Sequence, residues 1–257
     1  MPDHENEPRL LPYPALSRGT GGSVGSIGDY WRFLQDDPRG AGDAAWNQSE
    51  SYSTDGFFSD PEHFTFLGEG ILPTLAARRR SAGWRTCNLW CVGCGTGEEA
   101  YSLALATEAA LAPLDPVWPW RIEASEPSAR ALQRARIGVY AEEALQRVPA
   151  ALRTAGFERG FGPQSGRVRV RSRLQENITF RDLTGTEEKL PFRDAFHVIV
   201  CRSALSAWPV ESRTASFHHL LTQLVPGGYL IVGRLDPLGS DVPTLHRVAP
   251  HVYRRSL

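Results

Sequence analysis

Lysine is all but missing from this 257-residue chain: among 28 basic side chains, Lys189 is the only lysine and the rest are arginine. A bias in genomic base composition accounts for that asymmetry without a functional cause. Excess charge of either sign is missing too, because 28 basic against 29 acidic residues leave −1. That balance argues against a histone-like or polyanion-coating protein. No apolar run approaches the roughly 20 residues that a bilayer span requires, and residues 1–7 lack the basic and apolar regions of a signal peptide. A soluble cytoplasmic protein is therefore expected. Cysteine is scarce, and four in a chain of this length do not make a disulfide scaffold. What is present, 41% hydrophobic and 22% charged residues, is ordinary for a globular chain and argues against wholesale disorder. The length suits one large domain, or a main domain with a small companion.

The first 25 residues carry Pro2, Pro8, Pro12, Pro14 and a Gly/Ser run, and read as a flexible arm. Residues 26–35 hold Ile27, Tyr30, Trp31, Phe33 and Leu34, compatible with one amphipathic helix, and residues 64–79 read as another helix interrupted by Pro73. Together, 26–80 form a reduced helical region ahead of a main domain over 81–257. There the texture becomes strand–helix alternation: strands at 88–92, 118–125, 196–201 and 229–232, helices at 98–111, 127–137 and 210–224. That order implies an α/β fold with a largely parallel, doubly wound sheet. One segment breaks the rhythm. Val168, Val170 and Leu174 interleave with Arg167, Arg169, Arg171 and Arg173 after Gly160, Gly162 and Gly166. This is the pattern of a half-exposed antiparallel strand, so a small inserted β-subdomain is expected at about 141–178.

The first strand runs into Gly93-Cys94-Gly95-Thr96-Gly97 and then a helix. Such a turn presents backbone N–H groups to the anionic part of a ligand, and Gly93, Gly95 and Gly97 permit close approach. A dinucleotide fingerprint needs glycine where Glu98 stands, and Glu98 with Glu99 would repel a pyrophosphate. A smaller, partly cationic ligand suits the loop better, and S-adenosylmethionine fits with its ammonium, sulfonium and single carboxylate. Glu126, after the second strand, is placed to bind ribose hydroxyls, and Pro226-Gly227-Gly228 before a strand is a further habit of such methyltransferases. Other readings stand beside these. Thr96-Gly97-Glu98-Glu99 is also a capping box, and Glu126 before Pro127 also reads as a helix-start acid. Cys87, Cys91 and Cys94 have the spacing of an iron–sulfur ligand set. Extended chain separates the first two by about 13 Å, too far for shared ligation, so buried thiols and no metal site are expected.

The run Trp90 to Ser102 (Trp-Cys-Val-Gly-Cys-Gly-Thr-Gly-Glu-Glu-Ala-Tyr-Ser) resembles the cofactor loop of CheR-type chemoreceptor glutamate methyltransferases. The resemblance runs from about Asp29 to the C-terminus. It includes Gly56-Phe57-Phe58-Ser59-Asp60-Pro61-Glu62-His63-Phe64, Ala135-Arg136-Ile137-Gly138-Val139-Tyr140, Arg167-Val168-Arg169, Cys201-Arg202 and Pro226-Gly227-Gly228. It implies a class I, Rossmann-like methyltransferase core, an inserted β-subdomain that can dock a receptor's tail, and S-adenosyl-L-methionine as cofactor. Carried over by position, it implies cofactor contact at Gly93, Gly95, Gly97, Glu99, Glu126, Thr184, Gly185, Cys201 and Arg202, and at Asp55 and Ser59 on the reaction side.

Several of these positions depart from the family's pattern. Glu126 stands for aspartate, Thr184-Gly185 for Asn-Leu and Ser203 for asparagine; Ser59 stands for arginine, Asp55 for threonine and Ala207 for tyrosine. A charge-assisted bond from the absent arginine to the cofactor carboxylate would contribute about 1.5–3 kcal/mol. Methyl transfer to a glutamate needs no general base, since the carboxylate is ionised near neutrality, so no catalytic residue is assigned. The expected activity is glutamate O-methylation of a chemoreceptor-like protein in chemotaxis signalling. The alternative is a catalytically impaired relative that binds S-adenosylmethionine or a protein partner. The arginines of 167–173 form one expected strand face, better suited to an acidic receptor tail than to nucleic acid because no wider basic field surrounds them. A monomer is expected, without membrane insertion.

Overall fold

Cys87–Val92 (β1) is a six-residue apolar strand whose alternate side chains enter two different cores. Cys87, Leu89 and Cys91 face one cluster of buried residues, and Trp90 and Val92 face the other. A strand covered on both faces must be apolar at nearly every position, which is why it reads as a continuous hydrophobic run rather than an alternating one. Phe196–Cys201 (β7) repeats the arrangement, with Val198 and Val200 in the first cluster and Ile199 and Cys201 in the second.

The computed structural model describes residues 56–183, 192, 196–202, 204, 210–233 and 242–257, without the side chains of 210–213. The chain divides into units Met1–Trp46 and Asn47–Leu257, and the described residues belong to the second. The expected arm, the helix over 26–35 and the site positions Asp55, Thr184, Gly185, Ser203 and Ala207 lie outside the described residues.

In chain order the first elements among the described residues are helix Pro61–Phe66 (α1), a π-turn Leu67–Ile71 and helix Leu72–Arg78 (α2). Pro61 begins the first helix, and Pro73 sits in the first turn of the second. Proline has no N–H to give to the carbonyl one turn back, so the wide turn absorbs a break that would otherwise end the helix. After β1 come helix Glu98–Leu111 (α3), strand Trp120–Ser125 (β2) and helix Ala129–Ile137 (α4), whose first turn is capped by the Ser128 hydroxyl accepting from the Ala131 N–H. The insertion follows: strand Val139–Ala141 (β3), helix Ala150–Gly156 (α5), strand Phe157–Arg159 (β4), strand Arg167–Val170 (β5) and a short helix Ser172–Gln175 (α6). The main sheet resumes with Ile178–Arg181 (β6) and β7, and continues through helix Val210–Thr222 (α7), Leu224–Val232 (β8), Leu245–Ala249 (β9) and Val252–Arg255 (β10).

The seven-stranded sheet has the order β6-β2-β1-β7-β8-β10-β9, and the small sheet β3-β5-β4. Pairings are parallel from β6 through β8 and antiparallel where β10 joins β8 and β9. The doubly wound α/β class with an inserted antiparallel sheet is therefore the fold of this chain. The Pro226-Gly227-Gly228 turn is a bulge inside β8: Phe196 pairs with Leu224 but Val198 pairs with Tyr229, so the proline and the two glycines loop out of register. No helix among the described residues is long and apolar enough to cross a membrane.

The arginine segment differs from the expected single strand face. The strand ends at Val170, and Ser172–Gln175 is helical. Leu174, on this helical turn, is fully buried. Arg171 then pairs with Glu158 at 3.3 Å and Arg173 with Glu108 at 2.9 Å. Moreover β5 is the central strand, bonded to β3 and β4 on either side, so it has no free backbone edge. The outer strands are β3, buried at Val139 and Tyr140, and β4, exposed at Glu158 and Arg159.

At the opposite end of the sheet from the glycine loop, His197 is buried against the edges of Trp84 (4.5 Å) and Trp118 (5.6 Å). Its Nδ1 accepts the Asn88 N–H at 3.0 Å. Burial pushes the imidazole down to about 4 from its ordinary 6.5, so the folded state holds it neutral while the unfolded chain protonates near pH 6.5. The stability this contributes is complete above about pH 6.5 and is lost as pH falls toward 4. Urea unfolding across that window should show a decline of about 3 kcal/mol, and His197→Asn, which keeps an acceptor for Asn88, should flatten it.

Candidate functional site

Three adjacent parallel strands, β2, β1 and β7, end side by side, and each delivers a chemistry-bearing segment at its carboxyl end. This is where open α/β sheets bind ligands. β1 delivers the glycine turn, β2 delivers Glu126 and β7 delivers Arg202.

The turn is built on backbone hydrogen bonds. The N–H groups of Gly93 and Cys94 both donate to the Ser125 carbonyl, at 2.8 and 2.9 Å, which locks the loop to the end of β2. The Gly95 N–H donates to Glu126 Oε2 at 3.1 Å, and the Gly97 N–H closes the turn on the Cys94 carbonyl at 3.0 Å. Gly97 caps α3 with φ +103°, and a Cβ there would stand 2.7 Å from the Tyr140 hydroxyl and 2.9 Å from the Ala135 methyl. Both the conformation and the space require glycine. Gly95 (φ +54°) has nothing within 4 Å of where its Cβ would stand, so the loop is open to a ligand at this point.

Glu126 is half-buried and uses both oxygens: Oε2 accepts from Gly95 and Oε1 accepts the Ser128 N–H at 3.0 Å. It therefore braces the start of α4, as a helix-start acid does, while each oxygen keeps a lone pair for a further donor.

Glu99 is not a helix cap. The Thr96 hydroxyl donates to Glu98 Oε2 at 2.6 Å, no side chain caps α3, and the capping-box reading falls. Left-handed Gly97 turns the Thr96 side chain away from the helix axis, so the box cannot close. Glu99 instead accepts from Arg202 Nη1 at 2.9 Å through Oε1, and from the Cys91 thiol at 3.7 Å through Oε2. The other arm of Arg202, Nη2, donates to Asp60 Oδ2 at 2.7 Å, and Nη1 also reaches the Ser59 carbonyl at 3.1 Å. The Arg202 side chain is 4% exposed against 13% for Glu99 and 22% for Asp60. The guanidinium is thus the centre of a buried three-charge cluster that joins α3, β7 and the segment before α1.

That segment is strained. Phe58 and Asp60, on either side of Ser59, both have φ +51°, a region that residues with a Cβ rarely occupy. The Phe58 N–H is held by the Ser102 hydroxyl at 2.9 Å. Ser59, where the resemblance implies an arginine, is itself buried. Burial raises the Glu98 carboxyl and drives the Cys91 and Cys94 thiols well above their ordinary range, so both stay protonated near neutrality. All four cysteines are buried; Cys87 and Cys91 lie on β1, and Cys201 ends β7.

Gly93, Gly95, Gly97, Glu99, Glu126, Cys201, Arg202 and Ser59 therefore converge, while Asp55, Thr184 and Gly185 lie outside the described residues. Sequence reasoning missed Asp60 as the partner of Arg202 and Tyr140 as a neighbour of the loop. Both lay inside quoted motifs, but only the fold reveals what they touch.

Residues 53–252 match the family model described as CheR methyltransferase, SAM binding domain. The chain belongs to the CheR methyltransferase family. It is 30% identical over 230 residues to chemotaxis protein methyltransferase 2 of Pseudomonas aeruginosa, covering 90% of this chain and 79% of that one. It is 29% identical over 212 residues to the chemotaxis protein methyltransferase of Escherichia coli, covering 82% and 70%. The chemotaxis protein methyltransferase of Borreliella burgdorferi is 25% identical over 200 residues, covering 78% and 69%. This CheR-family chain is accordingly an S-adenosylmethionine-dependent methyltransferase, and the donor set suits that cofactor: an open backbone at Gly95, two carboxylates and one arginine.

Arg202→Ala should leave Glu99 and Asp60 without a cation in a largely buried site and lower stability by about 2–3 kcal/mol. Urea unfolding would read this as a lower midpoint at unchanged m value. Arg202→Lys should recover only part of it, because an ammonium cannot fork to two carboxylates.

Proposed function

We propose that this methyltransferase esterifies glutamate side chains of a chemoreceptor-like protein, with the cofactor seated over Gly95 between Glu126 and the Glu99–Arg202 pair. The observation that carries the reading is the convergence of these groups at the ends of three adjacent strands in a chain of this family. Bound S-adenosylmethionine supplies a methyl group on a sulfonium: the C–S bond breaks as a C–O bond forms to the glutamate carboxylate, leaving S-adenosylhomocysteine and a methyl ester. The chain's own residues bind and orient. Glu126 offers its remaining lone pairs to ribose hydroxyls, Gly93, Gly95 and Gly97 let the backbone approach, and Glu99 faces the ammonium while Arg202 holds it in place. By the resemblance, Thr184, Gly185, Asp55, Ser59 and Cys201 belong to the cofactor contacts as well. No proton moves in the step, so catalysis rests on alignment and exclusion of water.

Ser59 in place of arginine leaves Arg202 as the cation of this end, and Asp60 and Glu99 already occupy its two arms. Weak hold on the cofactor carboxylate follows, which slows transfer rather than removing a chemical group. Labelled methyl from S-adenosylmethionine should appear on a receptor's cytoplasmic fragment as a base-labile ester. Absence of label across a panel of receptor fragments, with S-adenosylhomocysteine still bound, would overturn the enzyme reading in favour of a binding role.

A receptor tail would pair with an open edge of the small sheet, beside the fully presented Phe161, which is 87% exposed. Arg167 and Arg169 of β5 supply positive charge near β4, and Arg171 and Arg173, beyond the strand, pair with Glu158 and Glu108. A double Arg167→Ala, Arg169→Ala variant should weaken binding of an acidic tail peptide about tenfold at low salt, with less effect at 0.5 M. Arg173→Ala should leave it unchanged; fluorescence anisotropy of a labelled peptide would check both.

A further inference from the structure

Tyr140 belongs to β3, the first strand of the inserted sheet, yet its hydroxyl donates to the Thr96 carbonyl in the glycine loop at 2.7 Å. The side chain is buried. Its ring meets the edge of Phe57 at 4.9 Å, and Phe57 meets Phe157 of β4 at 5.3 Å. An unbroken line of contact therefore runs from the small sheet, through the residue next to the strained Phe58–Asp60 segment, to the back of the loop.

The peptide group between Thr96 and Gly97 is planar, so fixing its carbonyl fixes its N–H. That N–H is the one that closes the turn on the Cys94 carbonyl, and the same turn carries the Gly95 N–H to Glu126. Gly97 adds to the constraint, because the Tyr140 hydroxyl occupies the place a Cβ would need. Without the hydroxyl, this peptide can rotate through ψ of Thr96 and φ of Gly97, and at Gly97 no Cβ opposes the change.

We propose that Tyr140 is a positioning residue for the cofactor, through which the inserted sheet acts as the rear wall of the glycine loop. The inference rests on the placement of the cofactor over Gly95 described above. It makes the small sheet part of the cofactor site and not only an attached module, and it accounts for a buried tyrosine at a place where phenylalanine would pack equally well.

Tyr101 provides the control. It is also buried, and its hydroxyl donates to a backbone carbonyl, that of Ala135 at 2.6 Å, outside the loop. Tyr140→Phe and Tyr101→Phe each remove one buried hydroxyl and one hydrogen bond, so their thermal midpoints should fall by similar amounts. Titration calorimetry with S-adenosylhomocysteine should show affinity lowered about five- to thirty-fold in Tyr140→Phe and changed less than about twofold in Tyr101→Phe. In the ligand-free proteins, the amides of Cys94, Gly95 and Gly97 should exchange with solvent about tenfold faster in Tyr140→Phe than in Tyr101→Phe. Equal affinities and equal exchange in the two variants would overturn the proposal and leave Tyr140 a core residue. Failure of the unsubstituted protein to bind S-adenosylhomocysteine would instead count against the cofactor placement, and the exchange comparison would still decide the role of Tyr140.

Discussion

The candidate site depends on one buried cation. Arg202 is 142 residues from Asp60 and 103 from Glu99, and it bonds to both. A guanidinium removed from water is costly unless its donors are matched, and here a carboxylate receives each arm. The consequence is architectural. The strained segment before α1, the first turn of α3 and the end of β7 can only be brought together in the one arrangement that satisfies Arg202. The backbone strain at Phe58 and Asp60 is tolerated because that arrangement, with Ser102 holding the Phe58 N–H, over-determines it.

A second constraint acts on the loop itself. The Ser125 carbonyl takes two N–H groups, Glu126 takes a third and Tyr140 holds a carbonyl from behind. The loop is thus preformed by groups from β2 and from the insertion, and its open side is at Gly95. Preorganisation of this kind matters in a reaction without proton transfer, where the protein contributes through geometry more than through chemistry. It also clarifies the departures from the family's pattern. Ser59 brings no charge where the resemblance implies an arginine, but the frame that positions Glu99, Glu126 and Arg202 is held by the contacts described above.

Much of the fold was legible from periodicity. The strands at Cys87–Val92 and Phe196–Cys201 and the helix Glu98–Leu111 stand out because double-sided burial and helical spacing leave strong local marks. The antiparallel pair β9–β10 was not anticipated, because its exposed residues such as Val248 carry no alternating pattern. The arginine strand was read as too long because a run of alternating charges looks the same whether the chain goes on extended or turns. Burial of Leu174 fits both, since it shares parity with Val168 and Val170; only the helical turn Ser172–Gln175 breaks the tie.

By itself the sequence determined the class of fold, the glycine turn and the family, since these are written in local spacing and in motif strings. It also named Glu99 and Arg202, though as separate contacts. Tertiary structure alone decided that these two are partners, that Asp60 completes the cluster, that Glu99 is no cap and that Tyr140 reaches the loop. The physical reason is that a hydrogen bond or ion pair between residues 44 to 142 positions apart leaves no periodic trace; it exists only once the sheet order has brought the chain ends of β2, β1 and β7 side by side.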